Sequence, residues 1–249
     1  VGGHVAPSVL RVGRLGLDRV GSGRRVARRR RDILTGRRPG DDARRSRGPG
    51  QPMNIATYNI LKGGSQRVHW ARMVEDFRAD LLLVQESYPH PEHLPPLAYP
   101  DAGNRCAWQV GAADPLLAFS VHAPSRKESY QRQVNKLLDE IGKVARGREV
   151  VIGGDFNLTV SHWPGPDRPT GKQDLAIQAR LADEFGLVNC WQAANPGRPL
   201  PQTLRWTNDR SVPYHCDGIF VPKAWLDRLV SCVVLAGDEW DRLSDHHPV

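Results

Sequence analysis

Short apolar runs alternate with helical patterns through residues 53–249, and this alternation is the strongest constraint on the fold. Strand-like runs are found at 54–58, 81–84, 116–121 and 150–152, with later ones at 218–221 and 229–235. A chain that alternates strands with helices packs those helices against the faces of a sheet. The sequence therefore predicts an α/β fold, and its length suits one large domain.

Between these runs, apolar residues recur at helical spacing. Three sets each lie on one helical face: Trp70, Met73, Val74 and Phe77; Tyr130, Val134, Leu137, Leu138, Ile141 and Val144; and Ile177, Leu181 and Phe185. Such spacing is typical of amphipathic helices that bury one face against a sheet. Gly186 follows the third set. We expect that helix to end there, because glycine is the usual left-handed residue at a helix C-terminus.

The first 52 residues differ from the rest of the chain in composition. They hold 14 Arg, no Lys and 4 Asp, whereas 21 basic and 23 acidic residues give residues 53–249 a net charge of −2. Residues 1–52 are rich in Arg, Gly and Pro without sustained periodicity, so we predict a disordered extension. It could be a basic arm for nucleic acid or an organellar transit sequence. We favour a gene-model artefact in which translation begins at Met53, directly before the first strand.

Cysteine spacing and hydropathy indicate where the protein resides. The four cysteines, Cys106, Cys190, Cys216 and Cys232, show no C-x-x-C spacing, which indicates neither a zinc site nor a disulfide framework. The chain has no apolar run of about 18 residues to span a bilayer, and its first residues lack the apolar segment of a signal peptide. We therefore expect a soluble, cytoplasmic protein with reduced thiols. We also expect it to be a monomer.

Polar side chains follow four of the predicted strands at the point where each strand ends. Asn59 ends the first strand, Glu86 follows LLLVQ, and His122 follows LAFSV; Asp155 and Asn157 follow VVIGG. Side chains at the carboxyl ends of neighbouring strands converge on one edge, where α/β proteins bind ligands. Carboxylates can hold a hard cation, amides can bind phosphoryl oxygens, and histidines titrate near neutral pH. The pattern therefore predicts one catalytic site.

Each of these residues also has an ordinary structural interpretation. Glu86 could be a solvated strand end, Asp155 a turn carboxylate, and His122 a satisfied interior histidine. Ser244 and Asp245 could form a capping pair. Taken singly, each residue favours the structural interpretation, whereas the complementary chemistry of the whole set favours catalysis.

Two tryptophans could contact a substrate, and the motifs of several other enzyme classes are absent. Trp191 and Trp206 could stack on a base or sugar, but we interpret each as a buried aromatic brace. The sequence contains no G-x-S-x-G elbow, P-loop or dinucleotide-binding glycine motif. Serine hydrolase, NTPase and dehydrogenase activities are therefore disfavoured.

Six stretches resemble, in order, the motifs of the endonuclease/exonuclease/phosphatase superfamily. They are NIATYNIL (54–61), LLLVQE (81–86), FSVHAP (119–124), VIGGDFN (151–157), HCDGIFVP (215–222) and SDHHPV (244–249). The resemblance covers nearly all of 53–249, and GGDFN together with SDHHPV is its most specific part. It implies a four-layer α-β-β-α sandwich of two β-sheets with helices outside.

The resemblance also implies a cation site for Mg²⁺, with Mn²⁺ as an alternative. Glu86 would be the principal metal ligand, Asn59 would lie beside it and contact metal-bound water or phosphate, and Asp245 would add ligation. A cation there would offset the repulsion between an anionic nucleophile and an anionic phosphate.

Five further residues take catalytic roles by the same resemblance. Asp155 would orient or deprotonate the attacking water, while Asn157 and His122 would donate hydrogen bonds to the phosphate. His246, paired with Asp217, would stabilise the pentacovalent state or transfer a proton. Whether Asp155 or the His246 and Asp217 pair is the base stays open.

The sequence departs from the family pattern at three places. Only 36 positions separate Glu86 from His122, where the family usually has additional strands, so we expect some strands of the sandwich to be missing. The chain also stops at Val249, where the next strand of the family would begin. Leu61 stands where abasic-site endonucleases carry an acidic metal ligand, which disfavours that activity.

These patterns predict a divalent-metal-dependent hydrolase of phosphate esters, a phosphodiesterase or nuclease-like enzyme that uses metal-activated water. The substrate could be DNA or RNA, a phospholipid or a small phosphate ester, and the charge of 53–249 predicts no phosphate-binding stripe for a nucleic-acid duplex. The alternative is a catalytically inactive remnant or binding module of the same fold, which the short interval between Glu86 and His122 favours. A third hypothesis, nucleic-acid binding through the Arg-rich extension, requires that extension to be translated.

Overall fold

Two β-sheets and five α-helices make up the part of the chain that the structure describes. This computed structural model describes residues 10–12, 53–61, 66–86, 106–109, 116–123, 128–162, 170–206 and 214–249. The strands are β1 (Leu10–Val12), β2 (Met53–Asn59), β3 (Leu81–Gln85), β4 (Cys106–Gln109), β5 (Leu117–His122), β6 (Val150–Asp155), β7 (Leu187–Asn189), β8 (Asp217–Pro222) and β9 (Leu229–Cys232). The α-helices are α1 (Gln66–Phe77), α2 (Tyr130–Ala145), α3 (Lys172–Asp183), α4 (Cys190–Ala194) and α5 (Asp238–Asp241), and a 3₁₀ helix spans Lys223–Arg228.

The strand directions bring the functional ends of several strands to one edge. The first sheet has the order β3-β2-β1-β9, and the second has the order β4-β5-β6-β8-β7. Strands β2 and β3 are parallel, as are β5 and β6, so each pair ends at the same side of its sheet. Strand β8 runs antiparallel to β6, and its first residue therefore lies beside the last residue of β6.

Successive side chains of the strands enter different cores, as a period of two requires. In β2, Ile55 packs between the two sheets, whereas Ala56 and Tyr58 pack with residues of α1 and α5. In β5, Ala118 packs between the sheets and Phe119 packs with residues of α2 and α3. Helices thus cover both outer faces of two stacked sheets, which confirms the α/β class and the four-layer sandwich.

An aromatic cluster fixes the turn that precedes the S-D-H motif, which consists of Ser244, Asp245 and His246. The ring of Trp240, on α5, lies 5.6 Å from the ring of Tyr58 and 5.2 Å from that of Phe77, measured between centroids. Such aromatic pairs contribute about 0.5 to 1.5 kcal/mol each beyond the burial of their surface. The carbonyl of Trp240 then accepts the backbone N–H groups of Leu243 and Ser244. The packed helix therefore sets the path of the chain into the S-D-H motif.

The predicted helices are present, but two of them begin earlier than their apolar patterns suggested, and the third ends at Asp183, before Phe185 and the predicted end at Gly186. The first begins at Gln66 and the third at Lys172, several residues before the first apolar position of each pattern. The side chains of Trp70 and Val74 lie outside the described part of the structure. Gly186 has a φ of +65°, which confirms the expected left-handed residue after the third helix. Within the described ranges, no helix has both the length and the apolar character needed to cross a membrane.

One prediction about the N-terminal extension is wrong for three residues. Leu10–Val12, inside the segment expected to be disordered, form a strand that pairs antiparallel with β2 on one side and β9 on the other. The backbone edges of β2 and β9 offer hydrogen bonds that the sequence pattern of the extension did not reveal. The rest of residues 1–52 lies outside the described residues, so its disorder and the gene-model hypothesis stay predictions.

Before β5, the interval between Glu86 and His122 contains one strand among its described residues. That strand, β4, pairs antiparallel with β5 at the edge of the second sheet. Residues 87–105 and 110–115 lie outside the described part of the chain. The last predicted strand, at 229–235, ends earlier than expected, at Cys232.

Two glycines in β6 allow close approach of the neighbouring strands. A Cβ atom at Gly153 would lie 2.7 Å from Cδ1 of Leu83 in the other sheet. A Cβ atom at Gly154, whose φ is +153°, would lie 2.0 Å from the carbonyl oxygen of Val121. Backbone atoms cannot move away as a side chain can, so only glycine fits at position 154. Gly154 therefore allows β5 and β6 to bring their last residues together.

We predict that Gly154→Ala lowers the free energy of unfolding by more than about 4 kcal/mol or prevents folding, because the added methyl group meets a fixed backbone carbonyl. The matched control is Gly147→Ala, at a left-handed position with a φ of +80° and no atom within 4 Å of the added Cβ. That control should cost only about 1 to 2 kcal/mol. Urea unfolding measures both variants, and equal losses would contradict the packing argument.

Candidate active site

Three predicted site residues lie in one row across the second sheet. His122 pairs with Asp155 in the parallel register of β5 and β6, and Asp155 pairs with Asp217 in the antiparallel register of β6 and β8. Residues directly opposite each other in a ladder project to the same face. The backbone register therefore brings together an imidazole and two carboxylates that are far apart in sequence.

The carboxylate of Asp155 is the centre of the site. Its Oδ2 accepts hydrogen bonds from Asn59 Nδ2 at 3.0 Å and Asn157 Nδ2 at 2.8 Å, and its Oδ1 accepts the backbone N–H of Asn157 at 2.9 Å. The Nε2 atoms of His122 and His246 each lie 3.7 Å from the same Oδ2. The Asp155 side chain is 1% exposed. A buried carboxylate thus joins residues from both sheets.

His246 and Asp217 form a buried pair beside this centre. The Nδ1 atom of His246 lies 2.9 and 3.1 Å from the two carboxylate oxygens of Asp217. Thr203 Oγ1 accepts the backbone N–H groups of Cys216 and Asp217, which fixes the start of β8. A carboxylate bound to one ring nitrogen orients the imidazole and leaves the other nitrogen to act. Here the other nitrogen, Nε2, is directed toward Asp155.

Oxygen ligands suited to a hard cation lie on the more exposed side of the site. Glu86 Oε1 accepts a hydrogen bond from Asn59 Nδ2 at 3.2 Å and lies 3.5 Å from His122 Nε2, and its side chain is 19% exposed. Asp245 Oδ1 lies 3.9 Å from His246 Nε2, and the Asp245 side chain is 35% exposed. Mg²⁺ and Mn²⁺ prefer carboxylate and amide oxygens, so this set of donors fits such an ion.

Asn59 contacts two carboxylates of the site, whereas the sequence predicted only that it lies beside Glu86. Its Oδ1 accepts the backbone N–H of Leu61 at 3.0 Å, while its amide nitrogen donates to both Glu86 and Asp155. The side chain therefore holds two carboxylates in place. All eight residues that the sequence singled out come together in one site: Asn59, Glu86, His122, Asp155, Asn157, Asp217, Asp245 and His246.

Backbone strain is concentrated around this site. Among the described residues, five non-glycine residues have positive φ, and three of them are Leu61 at 48°, Glu86 at 50° and Asn157 at 52°. The left-handed conformation costs a non-glycine residue about 1 to 2 kcal/mol. Such strain persists where surrounding contacts enforce it, and it is frequent at active sites.

Burial and a neighbouring negative charge make Asp155 a weak acid. Burial raises the pKa of Asp155 to about 7, with the carboxylate of Asp217 contributing in the same direction. The charge of His246 and the hydrogen bonds from Asn157 and Asn59 lower it only in part. A carboxyl group with this pKa can take up and release a proton near neutral pH.

His246 is held in its charged form by its surroundings. Burial opposes protonation of the ring, but the carboxylates of Asp217, Asp155 and Asp245 outweigh burial and raise the pKa of His246 to about 10. At neutral pH the pair with Asp217 is therefore an imidazolium beside a carboxylate. This pair can donate a proton or stabilise negative charge.

Ser244 and Arg205 position the S-D-H motif, a role that the sequence did not predict for either residue. Ser244 Oγ donates to the backbone carbonyl of Asn59 at 2.7 Å and accepts the backbone N–H of His246 at 3.1 Å. The guanidinium group of Arg205 donates to the carbonyls of Ser244 and Asp241. No helix begins at Ser244, so the capping interpretation of Ser244 is wrong. Contacts between distant segments leave no sequence spacing that would reveal Arg205.

The two tryptophans near the site have different environments. Trp191 is 6% exposed and its ring lies 5.8 Å from that of His215, so its role as a buried brace is confirmed. Trp206 is 54% exposed, and the same interpretation is wrong for it. Its ring lies 6.1 Å from that of Tyr214, whose hydroxyl donates to the carbonyl of Asn157. Trp206 is therefore an accessible aromatic surface connected to the site through Tyr214.

Comparison with known proteins identifies the family to which this chain belongs. A model of the Endonuclease/Exonuclease/phosphatase family matches residues 56–246, which include every candidate site residue. The chain therefore belongs to this family, as its motifs predicted. A search of curated proteins found no match.

Several solved structures share this fold. An AP endonuclease from Archaeoglobus fulgidus aligns with a TM-score of 0.59 and 16% identity, covering 78% of this chain and 96% of its own. The 3′ phosphatase NExo from Neisseria, solved with a product DNA hairpin, has a TM-score of 0.58, 16% identity and the same coverage. The endonuclease domain of TRAS1, a telomere-specific non-LTR retrotransposon, has a TM-score of 0.53 and 18% identity. That alignment covers 79% of this chain and 96% of the TRAS1 domain. At these identities the similarity shows a common fold.

We predict that acid destabilises the protein through His215. Its ring is buried, Nδ1 lies 2.9 Å from the carbonyl of Pro201, and burial lowers the pKa of His215 to about 4. The folded state therefore resists a proton that the unfolded chain takes up near its ordinary pKa of about 6.5. This contribution to stability is complete above about pH 6.5 and falls by about 3 kcal/mol as the pH drops toward 4.

The measurement is urea unfolding of the wild type and His215→Asn between pH 7 and pH 4. The asparagine amide can replace the Nδ1–H donor and has no proton to take up in this range. The variant should lose less stability on acidification than the wild type, while His162→Asn, at an exposed histidine, should behave like the wild type. Equal acid dependence in wild type and His215→Asn would show that another group is responsible.

Proposed function

We propose that this protein hydrolyses phosphodiesters of nucleic acid with the help of a divalent cation, Mg²⁺ or Mn²⁺. The observation that carries this proposal is the buried carboxylate of Asp155, which lies among two amides and two imidazoles beside the more exposed carboxylate of Glu86. A phosphoryl group needs hydrogen-bond donors for its oxygens, a base for the attacking water and compensation of its negative charge. This site offers a group for each need.

Glu86 and Asp245 would hold the cation, with Asn59 beside them. A cation bound there supplies positive charge that offsets the negative charge of the substrate and of its transition state. The amide of Asn59 already orients Glu86 toward the site. Glu86 is therefore already held in place before a cation binds.

Asp155 is the base in this proposal. Its pKa of about 7 lets the carboxylate accept a proton from water at neutral pH, and the hydrogen bonds from Asn59 and Asn157 orient it. His246 begins the reaction as an imidazolium, so it is better suited to stabilise the negative charge of the pentacovalent state than to remove a proton. Asn157 and His122 would donate hydrogen bonds to the phosphoryl oxygens.

Two observations support a nucleic-acid substrate. The structural relatives named above include an AP endonuclease and a 3′ phosphatase solved with a product DNA hairpin. The exposed ring of Trp206 offers a surface on which a base can stack, an interaction typically worth about 1 to 3 kcal/mol per base. Leu61 supplies no acidic ligand, which favours ordinary phosphodiesters over abasic sites.

The inactive-remnant hypothesis is less well supported, since all eight candidate residues meet in one site. A cytoplasmic location stays a prediction, with which the free thiols of Cys190, Cys216 and Cys232 are consistent. Action as a monomer stays a prediction.

The proposed function is tested with bis(4-nitrophenyl) phosphate and with single- and double-stranded DNA. We expect hydrolysis with Mg²⁺ or Mn²⁺, loss of hydrolysis with EDTA, and recovery when the cation is restored in excess. Activity only on 4-nitrophenyl phosphate would favour a phosphomonoesterase. A folded protein that is inactive on all these substrates with either cation would support the remnant hypothesis.

Asp155→Asn should lower kcat by at least about 100-fold with a much smaller change in KM, because loss of a base affects the transition state more than substrate binding. Initial rates on the chromogenic diester give both constants. The matched control is Asp183→Asn, at an exposed carboxylate on α3, which should retain full activity. A change in KM alone would assign Asp155 to substrate binding.

Glu86→Gln should raise the Mg²⁺ concentration required for half-maximal activity by at least about tenfold, because an amide binds a hard cation more weakly than a carboxylate. The measurement is a Mg²⁺ titration of the initial rate at fixed substrate. Glu75→Gln, at an exposed glutamate of α1, is the matched control and should leave the titration unchanged. An unchanged Mg²⁺ dependence in Glu86→Gln would place the cation elsewhere.

A further inference from the structure

A buried cysteine lies inside the site without a role in the proposed reaction. Cys216 is 0% exposed, and its Sγ lies 3.5 Å from Oδ2 of Asp217. It directly precedes Asp217 in the chain, and both backbone N–H groups are fixed by Thr203. The thiol is therefore held against the pair of Asp217 and His246.

Cys216 and three neighbours form a group of potential metal ligands. One donor atom from each of Asp155, Cys216, Asp217 and His246 lies within 4.8 Å of the others, and all four residues are buried. A tetrahedral Zn²⁺ ion binds sulfur at about 2.3 Å and nitrogen or oxygen at about 2.0 to 2.2 Å, which places its ligands somewhat under 4 Å apart. A contraction on the order of 1 Å would bring the four atoms to that spacing.

The ligand types in this group differ from those around Glu86. Two of the four ligands are a thiolate, which is soft, and an imidazole, which is borderline; both suit Zn²⁺ and similar ions, whereas Mg²⁺ and Mn²⁺ prefer oxygen. The oxygen ligands of Glu86 and Asp245 lie on the more exposed side of the site, and Cys216 lies on its buried side. The two groups of ligands therefore suit different metals.

We propose that Asp155, Cys216, Asp217 and His246 form an inhibitory site for Zn²⁺ and other thiophilic divalent ions. The inhibitory effect rests on the proposed hydrolase function, whereas the binding does not. The cysteine spacing in the sequence gives no indication of this site, because its ligands come from three separate segments.

Binding and hydrolysis exclude each other at this site. Coordination replaces the proton of the Cys216 thiol and one ring proton of His246, and both protons pass to solvent. The ion then occupies the carboxylate of Asp155 that would accept a proton from water, and it removes His246 from its charged pairing with Asp217. An enzyme with this ion bound has neither its base nor its imidazolium.

The binding is tested by titrating the full chain with Cd²⁺ alone, since cadmium binds as zinc does and produces an ultraviolet absorption band when coordinated by thiolate. We expect one ion per chain with this band in the wild type and no such band in Cys216→Ser. Cys232→Ser, at a buried cysteine outside the group, is the matched control and should retain the band. Circular dichroism confirms that each variant is folded.

A band that persists in folded Cys216→Ser, or that is absent from the wild type, would overturn the proposal. If Cys216→Ser does not fold, His246→Gln provides the same test, because loss of an imidazole ligand should weaken cadmium binding by about 10- to 100-fold or more. Cadmium binding unchanged in His246→Gln would also overturn it. These measurements need no turnover, so they test metal binding even if the protein has no hydrolase activity.

The inhibition is tested in the wild type with Zn²⁺ at saturating Mg²⁺. We expect activity to fall with Zn²⁺, to stay low when Mg²⁺ is raised further, and to return when Zn²⁺ is removed by a chelator and Mg²⁺ is restored. Relief of inhibition by Mg²⁺ alone would mean that Zn²⁺ competes at Glu86, which would overturn the proposed inhibition at Cys216.

Discussion

The burial of one carboxylate, that of Asp155, is the constraint on which the rest of this structure depends. An isolated charge in the protein interior costs several kcal/mol, so a buried carboxylate is stable only where donors or opposite charges surround it. Asn59 reaches Asp155 from the other sheet, and Asn157 reaches it from the turn that follows. The two sheets must therefore pack with this edge aligned.

Several features far from Asp155 serve that alignment. Gly154 allows β5 and β6 to approach closely, and the hydroxyl of Ser244 connects the S-D-H motif to the backbone of Asn59. The aromatic contacts of Trp240 fix the turn just before that motif. Packing energy from the outer core thus offsets the cost of holding charged and strained residues at the site. This relation between core and site is general in enzymes that place charged groups in a dry environment.

The two sheets separate the two tasks of the proposed reaction, which are cation binding and proton transfer. Glu86 follows a strand of the first sheet and is partly exposed, which suits a hydrated cation. Asp155 and Asp217 belong to the second sheet and are almost fully buried, which raises the pKa of Asp155. Asn59 donates hydrogen bonds to Glu86 and to Asp155, and so directly connects the two halves.

Much of the fold and the site could be predicted from sequence, because both depend on local patterns. Short apolar runs predicted the strands, the helical spacing of apolar residues predicted the helices, and polar residues at strand ends predicted Glu86, His122 and Asp155. What could not be predicted depends on contacts between distant segments. Three examples are the hydrogen bonds from Arg205 to the S-D-H segment, the position of Cys216 and the exposure of Trp206. A fourth is the strand pairing of Leu10–Val12, which lie in a segment whose composition indicates disorder.

We propose that Asp217 and His246 act as one unit beside Asp155 in the hydrolytic centre. The most direct test is kcat for Asp217→Asn, for His246→Gln and for the double variant, on the same diester at saturating Mg²⁺. Residues that act as a unit are strongly non-additive, so the double variant should be about as slow as the slower single variant. If the two single losses instead multiply in the double variant, the residues act independently, and the account of a single buried centre is wrong.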